Sequence, residues 1–532
     1  MTLARFCLAA VFGSTLLNYF VSLTDAQWDW DINHMMYFGQ RLLAGELHWT
    51  VEFDDKLPVN QFLFAIPAAL DSFRAWQGLS LIAMAGGAWA VWWIIRELLR
   101  HLPQLPGQIV GLCAQIGAVA TLAGFAFSPG GITHINPLAA SAGIGAIALL
   151  MAAFRAEQGG ERPRIWLFVL SAVCASIAIG IRPYFLLALC TSAFWVTLRC
   201  RPSSQGRVAA VISAAAWVAT VGLMGVLTNV LPYVLIGKMQ VFWDGLSVLR
   251  QELIPQSVLS VVREQHSQFT DIMLPVFPMI TLASVSVSAL ALFALFTGRG
   301  RADALKEEGV AGLWRDVVVV AVLLPVLIEI MILSKHFWPH YMQMFVPFLA
   351  VGAGVFAAQL WRGPLQAPHN AGVLKIAIVL LVLVPLWRVT LDQAKWIARG
   401  ENYSAERDSL SQQIAGFLET QPEGARDFLV PRLMYEHWRL GEPRHGFVHA
   451  ANTDFITPKN WWADIASPES FELPRNLQEY CSMIDRKGPS VLVSSEAGGI
   501  RDCLRSSAVY TLSDFRSPAS EDVVMFLRRA GQ

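Results

Sequence analysis

Carboxylates and one lysine are concentrated in the stretch WDWDINHMMYFGQRLLAGELHWTVEFDDKLP, which ends at Pro58. The aspartates of this stretch are Asp29, Asp31, Asp54 and Asp55. Lys56 directly follows the last of them. A carboxylate can take the proton of an attacking hydroxyl, and a lysine can neutralise a phosphate leaving group. These residue types suit the transfer of a group from a phosphate to a hydroxyl.

The composition indicates a polytopic α-helical membrane protein. Hydrophobic residues make up 55% of the 532 residues and charged residues only 15%, whereas soluble chains carry about 25% charged residues. The formal net charge of +0 argues against a nucleic-acid partner. Because a spanning helix needs about 20 apolar residues, we predict about eleven spans. They are Leu3–Leu23, Leu79–Leu99, Ile109–Phe127, Pro137–Phe154, Ile165–Ile181, Tyr184–Leu198, Val208–Asn229, Ile272–Phe296, Val317–Leu333, Tyr341–Leu360 and Leu374–Val389.

The distribution of Lys and Arg predicts the orientation. The N-terminal apolar run is predicted to be an uncleaved first helix. Basic residues recur in alternate loops, and because such loops are usually cytoplasmic, the N-terminus is predicted to lie in the cytoplasm. An odd number of spans then places the C-terminal region outside the cytoplasm. We predict a membrane module over residues 1–391, with its first outer loop at 25–76, and a small extracytoplasmic α/β domain over 392–532. SQQIAGFLETQ is typical of an amphipathic helix, and DFLVP, HGFVHA and PSVLVSSE are typical of strands.

Several cationic residues fall on the predicted outer side, against the general pattern. They are Lys56, Arg182, Lys335, His336 and His340. A cation near the membrane core costs several kcal/mol unless it is paired, so each is a candidate for binding a lipid phosphate. The alternative to phosphate binding is that such a side chain snorkels to the interface or pairs with a nearby aspartate. For Lys238, a further cation on the predicted outer side, this alternative is favoured.

Asp31 is the best-placed candidate base. The apolar residues that follow it have helical spacing, which predicts a helix lying along the interface, with Gly45 as its C-cap. A carboxylate near a helix N-terminus is also common for purely structural reasons, so both readings stay open. Asp29, Asp54 and Asp55 are candidates for assisting acids, metal ligands or acceptor contacts.

Aromatic and polar residues elsewhere are candidates for sugar binding. They are Tyr37, Trp49, His134, Asn136 and Tyr341. An interfacial aromatic belt explains the rings equally well, and helix capping explains the polar pair. Cys481 and Cys503 lie in the polar C-terminal region and are predicted to pair in an oxidising compartment.

The pattern Asp31, then Leu42-Leu43, Gly45-Glu46-Leu47 and Asp54-Asp55-Lys56 with Pro58 resembles the first outer loop of GT-C fold glycosyltransferases. That family includes the polyprenyl-phosphate-dependent mannosyl-, arabinosyl- and aminoarabinosyltransferases of bacterial envelopes. The segment from His340-Tyr341 to Pro347 is similar to its HY-x5-P segment, and Arg182-Pro183 occupies the place of its mid-chain basic residue. Ile32 and Leu57 depart from the family, where Glu and Pro are usual.

The resemblance implies an inverting glycosyltransferase of the bacterial inner membrane. Asp31 would be the catalytic base, and Lys56, Arg182 and His340 would hold the donor phosphate. The implied partners are a polyprenyl-phosphate-linked sugar and a glycan, lipid or protein acceptor; no cofactor is implied with certainty, although a divalent cation stays open. The alternatives are an O-antigen ligase or polymerase that uses a diphosphate-linked glycan, and a secondary transporter.

Overall fold

A computed structural model describes residues 2–25, 30–51, 56–70, 72–100, 105–127, 134–158, 163–200, 206–251, 313, 315–332, 339–362, 391, 412–422, 425, 428–429, 481–482, 485, 490–495, 504–515 and 523–529. The predicted spans Ile272–Phe296 and Leu374–Val389 and the predicted strand HGFVHA lie outside these residues. The chain divides into two compact units. The first comprises Met1–Leu23, Gln77–Val226 and Leu253–Gly400, and the second comprises Thr24–Trp76, Leu227–Glu252 and Glu401–Gln532.

Helices dominate the described part of the chain. In chain order they are α1 (Thr2–Asp25), α2 (Trp30–Leu43), α3 (His48–Val51), α4 (Val59–Ala69), α5 (Phe73–Leu99), α6 (Gly107–Phe127), α7 (Ile135–Gln158), α8 (Ile165–Ile181), α9 (Phe185–Cys200), α10 (Gly206–Gly225), α11 (Leu231–Leu235), α12 (Met239–Gln251), α13 (Leu324–Ile332) and α14 (Val346–Arg362). Short π-helical stretches, Val226–Val230 and Val319–Leu323, precede α11 and α13, and a 3-10 helix, Pro339–Met344, precedes α14.

Four helical segments in the described part are long and apolar enough to cross a membrane. They are Phe73–Leu99, Gly107–Phe127, Ile135–Arg155 and Arg207–Leu235. By length and composition, these are the helices of a multi-pass membrane protein. The predicted number of eleven spans and the orientation of the termini stay predictions.

Buried polar side chains join the helices of the first unit. The Ser171 hydroxyl on α8 donates to the Ala146 carbonyl oxygen on α7 over 2.7 Å. The same hydroxyl accepts the Trp217 indole N–H of α10 over 3.0 Å. Such interhelical hydrogen bonds matter in an apolar bundle, because lipid offers no competing partner for a polar group.

A buried ion pair lies at the C-terminal end of α9. Arg199 Nε is 2.5 Å from Asp316 Oδ2, and each side chain is 12% exposed. The other carboxylate oxygen of Asp316 accepts the Trp195 indole N–H over 3.0 Å. The pair therefore ties α9 to the helical turn at residues 315–318 that precedes α13.

The described C-terminal elements form a helix packed on a mixed sheet. The strands are β1 (Phe428–Leu429), β2 (Val491–Ser495), β3 (Tyr510–Leu512) and β4 (Val523–Arg528), in the order β1-β2-β4-β3. β1 runs parallel to β2, whereas β4 runs antiparallel to both β2 and β3. Ile414 and Leu418 of the helix at 412–419 form a core with Val491 and Met525.

The sequence prediction covers part of this arrangement. DFLVP and PSVLVSSE coincide with β1 and β2, and SQQIAGFLETQ contains the helix. β3 and β4 were not predicted. The domain boundary at residue 391 and the extracytoplasmic placement of this region stay predictions.

We predict that Asp316→Ala destabilises the protein by about 3–5 kcal/mol, because it leaves the Arg199 guanidinium buried without its carboxylate. Asp244→Ala is the matched control, since Asp244 takes part in an exposed bond with Gln240, and we expect a change within about 0.5 kcal/mol. Unfolding of the purified protein in detergent micelles measures both. Equal stability of the two variants would contradict the assignment.

Candidate functional site

α2 carries the candidate base. Asp31 is the second residue of this helix, and its side chain lies outside the described part. The next residue, Ile32, is completely buried, as are Met35 and Met36. The apolar face predicted from the sequence is therefore the packed face of α2. Its burial is a physical reason for isoleucine at position 32, where the family that the sequence resembles usually has glutamate: a glutamate there would place a charge in an apolar interior.

The predicted C-cap of α2 is confirmed. Gly45 has φ +88°, the left-handed conformation that favours glycine. Its N–H donates to the Leu42 carbonyl oxygen, and the Glu46 N–H donates to the Arg41 carbonyl oxygen, each over 2.9 Å. This is the Schellman pattern, and an Arg41–Glu46 ion pair of 2.5 Å closes it where a hydrophobic contact is common.

Gln61 joins the segment after α2 to α4. Its amide nitrogen donates to the Phe38 carbonyl oxygen over 3.0 Å and to the Glu46 carbonyl oxygen over 2.8 Å. Its amide oxygen accepts the His48 N–H over 2.8 Å. The side chain is completely buried. One amide thus satisfies three backbone groups in α2, in the turn after it and in α3.

The close approach of α2 and α4 depends on Gly39. A Cβ at Gly39 would lie 2.4 Å from the Phe64 carbonyl oxygen, which is backbone and cannot rotate away. The absent side chain lets the two helices approach closely enough for Gln61 to reach the Phe38 carbonyl.

Lys56 follows Asp54-Asp55 and lies three residues before Val59, the first residue of α4. It is buried, with 2% of its surface exposed. Lys238, by contrast, is exposed; that it snorkels to the interface or pairs with an aspartate stays a prediction. The predicted stacking residues Tyr37 and Trp49 are 1% and 0% exposed, so neither ring presents an open face for a sugar.

Trp49 lies instead in a hydrophobic cluster with Leu47, Tyr233 and Phe242. The ring centroids of Trp49 and Phe242 are 5.6 Å apart. An exposed aromatic and a core aromatic have the same sequence signature, so the sequence could not separate the two roles. The structure favours core packing for Trp49.

A second constellation surrounds Arg182 in the first unit, where α8 ends. Arg182 is 3% exposed, and its Nε donates to Asn136 Oδ1 over 2.6 Å. Asn136 in turn donates from Nδ2 to the His340 carbonyl oxygen over 2.9 Å. The Asn136 N–H donates to His134 Nδ1 over 3.1 Å. Hydrogen bonds therefore connect the start of α7 and the end of α8 with the 3-10 helix before α14.

Ring contacts complete this constellation, which we call the Arg182 cluster: His134, Asn136, Arg182, Tyr184, His340 and Tyr341. The Arg182 guanidinium carbon lies 5.2 Å from the Tyr341 ring centroid. The His134 and His340 ring centroids are 4.3 Å apart. Tyr184 lies 5.6 Å from Tyr341 between centroids. Five of the six residues are less than 5% exposed: His134, Asn136, Arg182, Tyr184 and Tyr341.

The remaining predicted site residues lie outside the described part of the chain. They are Asp29, Asp54, Asp55, Lys335, His336 and Cys503. Cys481 is disulfide-bonded, whereas the five cysteines from Cys7 to Cys200 are free thiols. Among the described residues, no group of three or more His, Cys, Asp and Glu side chains is arranged to hold a metal ion.

Comparison with known proteins returns structural matches. No family model and no curated protein matches the chain. The crystal structure of ArnT from Cupriavidus metallidurans bound to undecaprenyl phosphate is 13% identical, covers 100% of this chain and 98% of its own, and has a TM-score of 0.48. A second match is the archaeal oligosaccharyltransferase AglB from Archaeoglobus fulgidus, in complex with an inhibitory peptide and a dolichol-phosphate. It is 11% identical, the match covers 92% of this chain and 69% of AglB, and the TM-score is 0.46.

Both TM-scores lie below 0.5, so the case for the function of this chain rests on its own residues.

The sequence analysis did not predict roles for Gln61, Asn229 or Tyr233. A polar residue inside an apolar helix is a signal that could have indicated Gln61. That signal is weak, because a glutamine on a helix is more often exposed than buried.

We predict that Gln61→Leu destabilises the segment between α2 and α4, because each buried backbone group that loses its partner costs about 1–3 kcal/mol. Gln240→Leu is the control, since the Gln240 bond is exposed. Limited proteolysis of the purified protein, with cleavage mapped to residues 44–58, reports the loss locally. Wild-type resistance in Gln61→Leu would show that the three bonds do not hold the segment.

Proposed function

We propose that this chain is an inverting glycosyltransferase that moves a sugar from a polyprenyl-phosphate donor to a hydroxyl of an envelope acceptor. The acceptor hydroxyl attacks the anomeric carbon while the bond from that carbon to the phosphate oxygen breaks. The hydroxyl proton passes to Asp31, and polyprenyl phosphate leaves. The donor class and the roles of Asp31 and Lys56 follow the family resemblance.

The Arg182 cluster is the observation that carries the proposal. The sequence predicts phosphate or sugar binding for His134, Asn136, Arg182, His340 and Tyr341. Separate parts of the chain supply them, and they form one network of hydrogen bonds and ring contacts. That convergence supports a single binding function for them.

The chemistry of the cluster suits an anionic leaving group. A guanidinium keeps its charge at any physiological pH and presents planar donors that match phosphate oxygens. Asn136 and Tyr341 fix the Arg182 plane, so little reorganisation is needed when charge develops on the leaving phosphate. The His134 and His340 imidazoles beside it can donate further hydrogen bonds.

The contacts of Arg182 differ from those of Arg199. Arg199 is bonded to the Asp316 carboxylate, which neutralises it. Arg182 is bonded to a neutral amide and stacked near an aromatic ring. The Arg199–Asp316 pair therefore suits a structural role.

We predict that Asp31→Asn lowers the rate of sugar transfer from a polyprenyl-phosphate donor in isolated membranes by about a hundredfold or more, because the amide cannot take the hydroxyl proton. Donor binding should persist, since the proton transfer belongs to the chemical step. Mass spectrometry of the glycosylated products, with membranes lacking the chain as background, gives the readout. Full activity of Asp31→Asn would remove Asp31 as the base.

We predict that Arg182→Gln lowers kcat/KM for the donor by about 10²–10³-fold, the usual effect of removing one charge-stabilising donor. Arg96→Gln is the matched control, because the Arg96 guanidinium carbon also lies near a ring, 4.5 Å from the Trp92 centroid. Comparable melting temperatures in detergent would show that both variants are folded. Equal activity of the two variants would contradict the role given to Arg182.

Deletion of the gene tests the donor and acceptor together. Loss of a single sugar from envelope glycans, with accumulation of its lipid-linked form, is the expected result in mass spectrometry. An unchanged glycan profile with impaired uptake of a solute would favour a transporter instead.

A further inference from the structure

We propose that Asn229 and Tyr233 are positioning residues that fix the placement of Lys56. The proposal rests on the proposed function only for what Lys56 binds. The geometry itself lies wholly among described residues of the second unit, near the end of the apolar segment Arg207–Leu235.

Asn229 holds the start of α4. Its Oδ1 accepts the Val59 N–H over 2.9 Å, and the side chain is largely buried, as is Val59. The N-cap residue of α4 is Pro58, which has no side-chain capping bond. The first amide of α4 therefore takes its cap from a residue 170 positions away along the chain.

Tyr233 binds the backbone on the other side of Lys56 in the sequence, at Trp49 of α3. Its hydroxyl oxygen accepts the Trp49 N–H over 3.1 Å. The Tyr233 ring is completely buried, 5.5 Å from the Phe242 centroid and 6.4 Å from the Trp49 centroid. Packing on two aromatic rings fixes the hydroxyl in space, so the bond is both buried and oriented.

These two bonds enclose the chain that carries Lys56. Trp49 and Val59 are the anchored residues, and Lys56 lies between them, three residues before Val59. Residues 56–59 are all described, so the bond from Val59 to Asn229 fixes the backbone that directly follows Lys56. Lys56 is 2% exposed. A buried side chain has little freedom to move, so the position of its ammonium group depends on the position of this backbone.

The local helix geometry explains why both anchors point the same way. Asn229 and Tyr233 are four residues apart, the spacing that places side chains on one helix face. Asn229 belongs to the π-helical stretch Val226–Val230, and Pro232 follows within α11. Proline has no N–H for the carbonyl four residues earlier, and π-bulges commonly form where the regular ladder is interrupted, often at functional sites.

A purely structural cap would give a different outcome from a positioning role. A cap stabilises α4 without controlling the access or position of Lys56. The experiment therefore reads out Lys56 directly, in the purified full-length protein in detergent micelles.

The first measurement is acetylation of lysines by an amine-reactive ester, mapped by mass spectrometry, with the exposed Lys238 as the internal reference. Asn229→Leu and Tyr233→Phe each remove one acceptor, and Tyr233→Phe keeps the buried ring. We expect the rate at Lys56, relative to Lys238, to rise about tenfold in each variant, as loss of one buried hydrogen bond makes local opening more frequent.

Two further variants serve as controls. Asn229→Asp keeps an acceptor oxygen for the Val59 N–H and places a negative charge at a helix N-terminus, so Lys56 should stay protected. Thr220→Val removes an exposed hydroxyl that is bonded within its own helix and should have no effect. Wild-type protection of Lys56 in both Asn229→Leu and Tyr233→Phe would overturn the proposal, and Tyr233→Phe alone decides if Asn229→Leu does not fold.

The second measurement is the KM for the polyprenyl-phosphate sugar. Asn229→Leu should raise this KM about tenfold with a smaller change in kcat, and should add nothing to Lys56→Gln in the double variant. Additive losses would show that Asn229 acts independently of Lys56 and would overturn the positioning role. Should the wild-type protein transfer no sugar, the proposed function fails, while the acetylation result still decides the positioning of Lys56.

Discussion

A single buried amide, that of Gln61, holds together the part of the chain that carries the candidate base. The turn after α2 and the start of α3 carry the Glu46 carbonyl oxygen and the His48 N–H, both of which bond to the Gln61 side chain. In a protein built to lie in lipid, each such group costs several kcal/mol if it is left unsatisfied. Gln61 supplies partners to Phe38, Glu46 and His48 at once, and the absent side chain of Gly39 lets it come close enough to do so.

The need of buried backbone groups for hydrogen-bond partners also explains the roles of Asn229 and Tyr233. Their side chains accept the Val59 and Trp49 amides at the two ends of the following segment. Two side chains from a distant part of the sequence thus hold the backbone of α3 and the start of α4, on either side of Lys56 in the sequence.

How far the sequence predicts the structure depends on the kind of signal. Apolar periodicity and length located α8 to its observed bounds, Ile165–Ile181, and glycine chemistry located the end of α2 at Gly45. Both signals are local. The partners of Gln61 and Asn229 are set by tertiary contacts, which no local pattern contains. The burial of Trp49 could not be predicted for the same reason, because it depends on what the rest of the chain packs against the ring.

The candidate site shows the same division. Charge placement and resemblance selected His134, Asn136, Arg182, His340 and Tyr341, and the structure brings these together. The sequence did not indicate that Asn136 would orient the guanidinium, since an asparagine beside a helix start is equally typical of a cap. Binding of polyprenyl phosphate to the purified protein, followed by native mass spectrometry, tests the central claim most directly. The account predicts binding that Lys56→Gln and Arg182→Gln each weaken about tenfold or more while Lys238→Gln does not; equally tight binding of uncharged polyprenol, or unchanged binding in all three variants, would contradict it.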